Sequence, residues 1–295
     1  MYSSKEFREN LNVISAIKDI TTIYQEIASM KVRQLRENVA KTRDFLNGVG
    51  SVYNHAKISY LGELQKQIIR GKTKLQSASF IKRNGKKVLV LLSANEHLYG
   101  SLILDIWRNY IADLKKGDAD AVIVGSVGRY FLRNEKLKVA ASFFPLNDDK
   151  PKVSEIKRIT DFICRYEQII IYYGEIISVM SQYPTKKAIS GGVTLGEKVV
   201  KAKSYLFEPS PEKIMEFFET EIIAALFNQT VYEHELARFA ARMVAMDQAT
   251  ENANETLTKL NKEWRTAKRA IANSKQLGIF AGYSLWGNNV AKEGS

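Results

Sequence analysis

The sequence predicts an α/β fold (α+β over the whole chain). A long antiparallel two-helix coiled coil, drawn from the N- and C-terminal segments, carries a central Rossmann-like α/β domain. Three features of the chain predict it. The stretch from Glu212 through Leu277 contains neither glycine nor proline, and residues 1–47 also lack both. Between them lie short apolar, β-rich runs bounded by polar or glycine-containing segments. All five prolines fall between residues 145 and 211, so the breaks in regular structure are central and the ends are uninterrupted. The division expected is residues 1–60 for the N-terminal coiled-coil helix and 75–208 for the central α/β domain, then 209–287 for the C-terminal coiled-coil helix and 288–295 for a flexible tail.

Each element has its own reason. At about 1.5 Å per residue, the C-terminal stretch would extend roughly 100 Å as a helix, far beyond what a small domain can bury. Such a helix needs a partner along its length. In the first segment Phe7, Leu11, Ile14, Lys18, Thr21, Tyr24 or Gln25, Ala28, Val32, Leu35, Val39, Thr42 and Leu46 follow a 4-3 spacing. That repeat keeps one seam against a second helix and implies a left-handed supercoil. Lys18, Thr21 and Gln25 interrupt the apolar seam; Ile17, Ile20 and Tyr24 sit beside the gaps and are expected to keep the stripe apolar. The far segment supplies the complement in Phe218, Ile222, Ala225, Leu236, Phe239, Met243, Met246, Thr250, Ala253, Leu257, Leu260, Trp264, Ala267 and Ile271. Ala237, Ala241, Ala245, Ala249 and Ala253 recur every four residues, and this row is expected to let the partner helix's backbone come close. Centrally, Val88–Leu92, Ala121–Gly125 and Ile169–Tyr173 read as buried strands, with helices near Leu102–Leu114 and Ser154–Tyr166 between them. Alternating strand and helix predicts a largely parallel sheet. Lys198–Phe207 is a further candidate strand, and Pro211 suits the first turn of the C-terminal helix.

Composition narrows the function classes. No apolar run approaches the roughly 20 residues that span a bilayer, and Met1–Arg8 lacks the apolar core of a secretory signal. One cysteine, Cys164, excludes an internal disulfide and fits a reducing compartment. The three histidines (His55, His97, His234) have no cysteine partners at ligand spacing, so no structural zinc site is expected. The net charge of +12 implies an acidic partner: nucleic acid, anionic lipid or an acidic protein surface.

Motifs for chemistry are weak. Gly191–Lys198 resembles a phosphate loop, but its lysine is one position late and no Ser or Thr follows it. Gly125-Ser126-Val127-Gly128-Arg129 is either an anion site at a helix start or a plain strand-to-helix turn. His234-Glu235 lacks the second histidine of a metalloprotease helix. Basic residues are denser: Lys31, Arg33, Arg36, Lys41 and Arg43 on the first rod, with Arg238, Arg242, Lys259, Lys262, Arg265, Lys268 and Arg269 on the second. They form either an ordinary solvated face or a positive shaft that slides within an acidic enclosure.

In order along the whole chain, these segments resemble the gamma subunit, the central stalk, of F-type rotary ATPases. Lys5-Glu6-Phe7-Arg8, Ile20-Thr21 and Ala28–Arg33 are similar to that family's first helix. Ala240–Ala253 is similar to its AARMVAM-x-x-AT-x-NA signature, and Tyr205–Pro211 to the segment preceding its last helix. Departures accompany the likeness. Ser93–Leu102 stands where the family reads SDRGLCGGLN, Arg238 replaces a glutamate, Lys268-Arg269 replaces an Arg-Gln pair, and Lys275 and Gly278 replace two acidic residues. The resemblance implies a rotor shaft without catalytic residues or cofactors of its own, seated in a ring of catalytic and non-catalytic subunits. It implies further partners in a small epsilon- or delta-like stalk subunit and a membrane rotor ring or its substitute, with neither nucleic acid nor membrane insertion. By motif position, ring contacts are expected at Ile20, Tyr24, Lys31, Arg33, Arg242, Met246, Lys268 and Arg269. The location implied is the cytoplasmic face of a bacterial inner membrane complex, or the matrix side in an organelle. Two other readings stay open: the shaft of a specialised, motility-linked F-type relative that hydrolyses ATP, and a basic coiled-coil protein that binds nucleic acid.

Overall fold

The computed structural model describes residues 4–69, 83–135, 139–189 and 211–290. In chain order these form helix α1 (Ser4–Ile69), strand β1 (Lys87–Leu92), α2 (Leu102–Leu114), β2 (Asp120–Val124), α3 (Ser126–Asn134), β3 (Ala141–Phe144), α4 (Val153–Ile163), β4 (Gln168–Ser178), β5 (Ser181–Ile189) and α5 (Pro211–Val290). The candidate strand Lys198–Phe207 and the loop Gly191–Lys198 lie outside the described residues. The chain divides into two compact units, one of residues 27–245 and one that joins residues 1–26 to 246–295.

In the larger unit the sheet has the order β3-β2-β1-β4-β5, with β5 alone antiparallel. β1 lies between two parallel neighbours, which is why Val88–Leu92 reads as a continuous apolar run and not an alternating one. Its side chains divide by parity. Val88, Val90 and Leu92 join α4, α1 and the first turns of α5 in one cluster, while Leu89 and Leu91 face α2 and α3 in another. β5 escaped the sequence reading because it is an edge strand of polar composition, Ser-Gln-Tyr-Pro-Thr-Lys-Lys-Ala-Ile. Its Lys186 is anchored instead by Asp113 of α2 at 2.8 Å. Lys116, Lys186 and the Tyr172 hydroxyl together hold the Asp113 carboxyl well below the ordinary carboxylate range.

α1 and α5 run antiparallel here. Ala28, Val32, Leu35 and Val39 pack on Leu236, Phe239 and Ala240, Arg43 reaches Glu233 at 3.4 Å, and the rings of Tyr53 and Phe218 lie 6.3 Å apart. The alanine row requires a correction. Ala237 and Ala241 belong to the cluster around α2 and β4, not to the seam with α1. Their small size serves the approach of the sheet: a Cβ on Gly174 of β4 would lie 3.3 Å from Ala237 Cβ and 3.0 Å from Leu102. Ala240, one position off the row, faces α1 instead.

The smaller unit is also an antiparallel helix pair, with Phe7 on Trp264 at 5.3 Å between ring centroids. Its seam corrects a second expectation. Thr21 is buried and its hydroxyl meets that of Thr250 at 2.8 Å, while Gln25 donates to Asp247 at 2.7 Å. Lys18 and Gln25 are half-buried, whereas Ile17, Ile20 and Tyr24 are 44%, 54% and 39% exposed. The heptad register therefore continues through the polar residues, because a hydroxyl or amide pair satisfies itself across the seam. The apolar neighbours are left outside.

Gly125 closes β2 with φ at +98°, and a Cβ there would meet Ser93 Oγ at 2.7 Å and the Ala94 carbonyl oxygen at 2.9 Å. Gly125→Ala is expected to destabilise the chain by roughly 1–3 kcal/mol, combining backbone strain with overpacking. A lowered urea midpoint at unchanged slope would register it.

Candidate functional site

Two features of the described residues have a bearing on function: faces the chain leaves uncovered, and a buried polar joint on α5. On α1, Val13, Ile17, Ile20, Ile23 and Tyr24 in the smaller unit are all more than a third exposed. Ile27 and Met30 in the larger unit are exposed likewise. Within the smaller unit, Val13, Ile17, Ile20 and Tyr24 follow the same 4-3 spacing as the seam, displaced by one position. A continuous apolar stripe of this kind marks an interaction surface. On α5, every described side chain from Lys268 to Gly282 is exposed, including Ile271, Leu277, Ile279 and Phe280.

The eight residues singled out by sequence divide accordingly. Ile20, Tyr24, Arg33, Lys268 and Arg269 are exposed. Lys31 is half-buried, with its ammonium 3.9 Å from Asp149 and 5.7 Å above the Phe239 ring. Met246 is buried at 6% exposure. Arg242 is buried as well, and its Nη2 donates to Glu96 Oε2 at 2.8 Å and to the His97 carbonyl at 2.9 Å while its guanidinium lies 4.2 Å from the Tyr99 ring centroid.

Arg242 is one member of a joint that sequence alone did not reveal. Its centre is Asp148, in the loop after β3. Asp148 Oδ2 accepts the backbone N–H groups of Asn95 and Glu96 at 2.8 and 2.9 Å. Arg238 Nη1 lies 2.7 Å from Asp148 Oδ1, and Nη2 donates to the Asp148 carbonyl at 3.1 Å. Both side chains are almost wholly buried. Burial alone would push the Asp148 carboxyl up, but Arg238 and the Glu96 and Asn95 N–H groups outweigh it and hold the carboxyl below its ordinary value. The β1–α2 loop, which supplies the Asn95 and Glu96 N–H groups, carries Leu98 at φ 72°, a left-handed conformation that a leucine keeps only where its surroundings over-determine it.

One turn earlier on α5, His234 accepts the Gly174 N–H at Nδ1 (3.0 Å) and lies 3.1 Å from the Ser93 carbonyl through Nε2. Its neutral tautomer therefore carries the proton on Nε2. Burial first, then the Arg238 charge, depress its pKa to about 3. Neighbouring Glu235 is buried with no hydrogen-bond partner for Oε2, and burial pushes its carboxyl up to about 7 against the pull of Arg238 and Lys31. Asp148, His234, Glu235 and Arg238 line a small enclosed cavity with Ser93 and Asn147 at the C-terminal ends of β1 and β2. In open parallel α/β sheets that is where ligands commonly bind; here side chains of α5 fill it.

Gly125–Arg129 is a plain strand-to-helix turn. The Gly125, Ser126, Val127 and Gly128 N–H groups are taken by the Phe144 carbonyl, Asn95 Oδ1, the Ala94 carbonyl and Ser93 Oγ. No donor is left for an anion. Among the described residues there is no cluster of three or more His, Cys, Asp or Glu side chains able to hold a metal ion, and no helix long and apolar enough to cross a membrane.

The two buried groups pull stability in opposite directions with pH. Glu235 binds its proton more tightly folded than unfolded, so its burial costs nothing below about pH 4.5 and its full cost above about pH 7. That cost is on the order of 3 kcal/mol. His234 contributes stability that is complete above its unfolded value of 6.5 and lost as pH falls toward about 3. Glu235→Gln is therefore expected to raise the urea midpoint at pH 8 and to turn a nearly level profile between pH 4.5 and 6.5, where the two groups offset each other, into a rise. An unchanged pH profile would show that the carboxyl titrates normally.

A protein-family model described as ATP synthase matches residues 3–282. The ATP synthase gamma chain of Mannheimia succiniciproducens is 24% identical over 299 residues, which cover 96% of this chain and 99% of that one. That of Coxiella burnetii is 26% identical over 295 residues, covering 96% and 98%. Among solved structures, the central stalk and c-ring structure of the Tetrahymena thermophila mitochondrial ATP synthase contains a chain similar in fold. Its TM-score is 0.51 at 17% identity, and the match covers 78% of this chain and 99% of that one.

Proposed function

The chain belongs to the ATP synthase family, and from that membership we propose that it is the central rotor shaft of an F-type rotary ATPase. It turns inside a ring of catalytic and non-catalytic subunits and couples their ATP hydrolysis or synthesis to rotation. The observation that carries this reading is the pairing of the two chain ends as antiparallel helices with an exposed apolar stripe and an exposed basic helix end. Such faces have no use in an isolated monomer. They suit a surrounding sleeve that touches the shaft broadly and weakly enough to let it move.

Mechanically, ATP binding and hydrolysis favour different ring conformations in turn, each complementary to a different orientation of the shaft. The difference in contact free energy drives the turn, and forced turning drives the reverse reaction. The chain contributes no catalytic group. Ile20, Tyr24, Lys31, Arg33, Lys268 and Arg269 meet the ring directly. Met246 and Arg242 act from beneath, Met246 by backing the seam and Arg242 by holding Glu96 and His97 in place. The α/β domain engages a small stalk subunit and a membrane rotor ring or its substitute, so the complex is membrane-associated while this chain stays outside the bilayer. The side is the cytoplasmic face of a bacterial inner membrane, or the matrix side in an organelle.

A specialised ATP-hydrolysing motor of the same plan is favoured by one observation: the loop Ser93–Leu102, where the family resemblance departs most, is rebuilt around Asp148, Arg238 and Arg242. Isolation of the native assembly tests both readings. Ring subunits together with a membrane rotor ring are expected for an ATP synthase; ring subunits with other foot partners would point to the specialised motor, and no ring subunits at all would refute the shaft.

Lys268→Glu with Arg269→Glu reverses two exposed charges, each contact being worth roughly 0.5–1 kcal/mol. Retention of the shaft by the ring is expected to weaken about 5- to 30-fold, with slower rotation under load. Unchanged rotation would remove both residues from the contact surface.

A further inference from the structure

The packing of α5 on the α/β domain leaves a mechanical problem if the chain is a rotor, the reading on which this inference rests. Beyond the bulky contacts of residues 222–231, the contact is made by the small side chains of Ala237 and Ala241 against Leu102 and Gly174. Such a surface permits close approach, but it offers little resistance to a helix turning about its own axis. Dispersion contacts between small groups are nearly isotropic, whereas hydrogen bonds and fixed ion pairs depend steeply on angle.

Directional contacts sit beside the alanines at one-turn intervals. His234, Arg238 and Arg242 are spaced i, i+4, i+8, which sets them on one face of α5. Each reaches a different part of the domain. His234 bonds the backbone of β1's end and of β4, Arg238 grips Asp148, and Arg242 grips Glu96 and the His97 carbonyl. Asp148 then ties the β3–α4 loop to the β1–α2 loop through the Asn95 and Glu96 N–H groups. Buried ion pairs of this kind do little for stability against an apolar alternative, and their best-attested use is to fix register.

We infer that Arg238, held by Asp148, is a positioning residue for torque: with His234 and Arg242 it keys α5 to the α/β domain so that rotation of the helix carries the domain without slipping. Arg238 touches no reacting group and acts only through the joint. Its single-residue replacement is expected to separate two events that are coupled in the intact shaft, the turning of the helix in the ring and the turning of the domain below it.

The test uses the ring-plus-shaft complex with a probe attached to the domain through Tyr130→Cys, an exposed position on α3. ATP hydrolysed per turn of the probe is measured under viscous load. Arg238→Ala is expected to raise that ratio about fivefold, and Arg238→Lys, which keeps the charge but not the fork, to fall between. In the same preparations, amide hydrogen exchange at Asn95 and Glu96 should rise about tenfold in Arg238→Ala and less in Arg238→Lys. Loosened amides with an unchanged ATP-per-turn ratio would overturn the inference, since the joint would then be structural only. Failure of the unsubstituted complex to turn the probe would refute the rotor reading itself, a different result from slippage confined to Arg238→Ala.

Discussion

α5 has three neighbours and must present a different chemistry to each within a few turns. Ile222, Ile223, Leu226, Phe227 and Val231 fill the core on one face of the sheet; Ala237 and Ala241 lie against α2 and β4; Leu236, Phe239 and Ala240 form the seam with α1. The helix is therefore both a coiled-coil strand and a layer of the α/β domain. Glycine and proline are absent from Glu212–Leu277 because a break at any turn would disconnect one of these roles from another. The remaining features of the larger unit follow from this shared helix.

The polar joint is one such consequence. Where an amphipathic helix changes neighbours, its residues cannot all be apolar on the inward side, and at 234–242 the inward side carries His, Glu, Arg and Arg. Each of these except Glu235 is matched by a loop atom of the domain. The matching sets the conformation of Ser93–Gly100, including the left-handed Leu98, and leaves the C-terminal ends of β1 and β2 occupied by the chain's own side chains. A fold that elsewhere binds ligands at this crevice has here turned the crevice into a socket for a helix.

Those exposed faces show how a helix pair can be both stable and incomplete. In the smaller unit the seam uses Thr21 with Thr250 and Gln25 with Asp247, polar pairs that satisfy one another across the interface. This leaves Ile17, Ile20 and Tyr24 outward and exposed. The distribution inverts the usual arrangement of an amphipathic helix.

Much of this was legible in sequence. The uninterrupted ends, the 4-3 spacing and the three apolar runs specified two long paired helices and a largely parallel sheet, because backbone propensity and hydrophobic period are local properties. The polar edge strand β5 was not, since its pairing depends on β4 and on the Lys186–Asp113 contact rather than on its own composition. Likewise the spacing identified α5's apolar positions but not which neighbour each would meet: Ala237 and Ala241 of the alanine row turned to the sheet, and the seam kept Thr21 and Gln25 where Ile20 and Tyr24 were the apolar choice. Asp148, Glu96 and Tyr99 carry no signal in sequence; they lie about 90 to 150 positions from Arg238 and Arg242, and only the folded sheet brings their loops together. The sequence by itself determined the elements and their approximate partners. Tertiary structure decided which faces are buried and which stay open, because burial is a property of the assembled layers and not of any one helix.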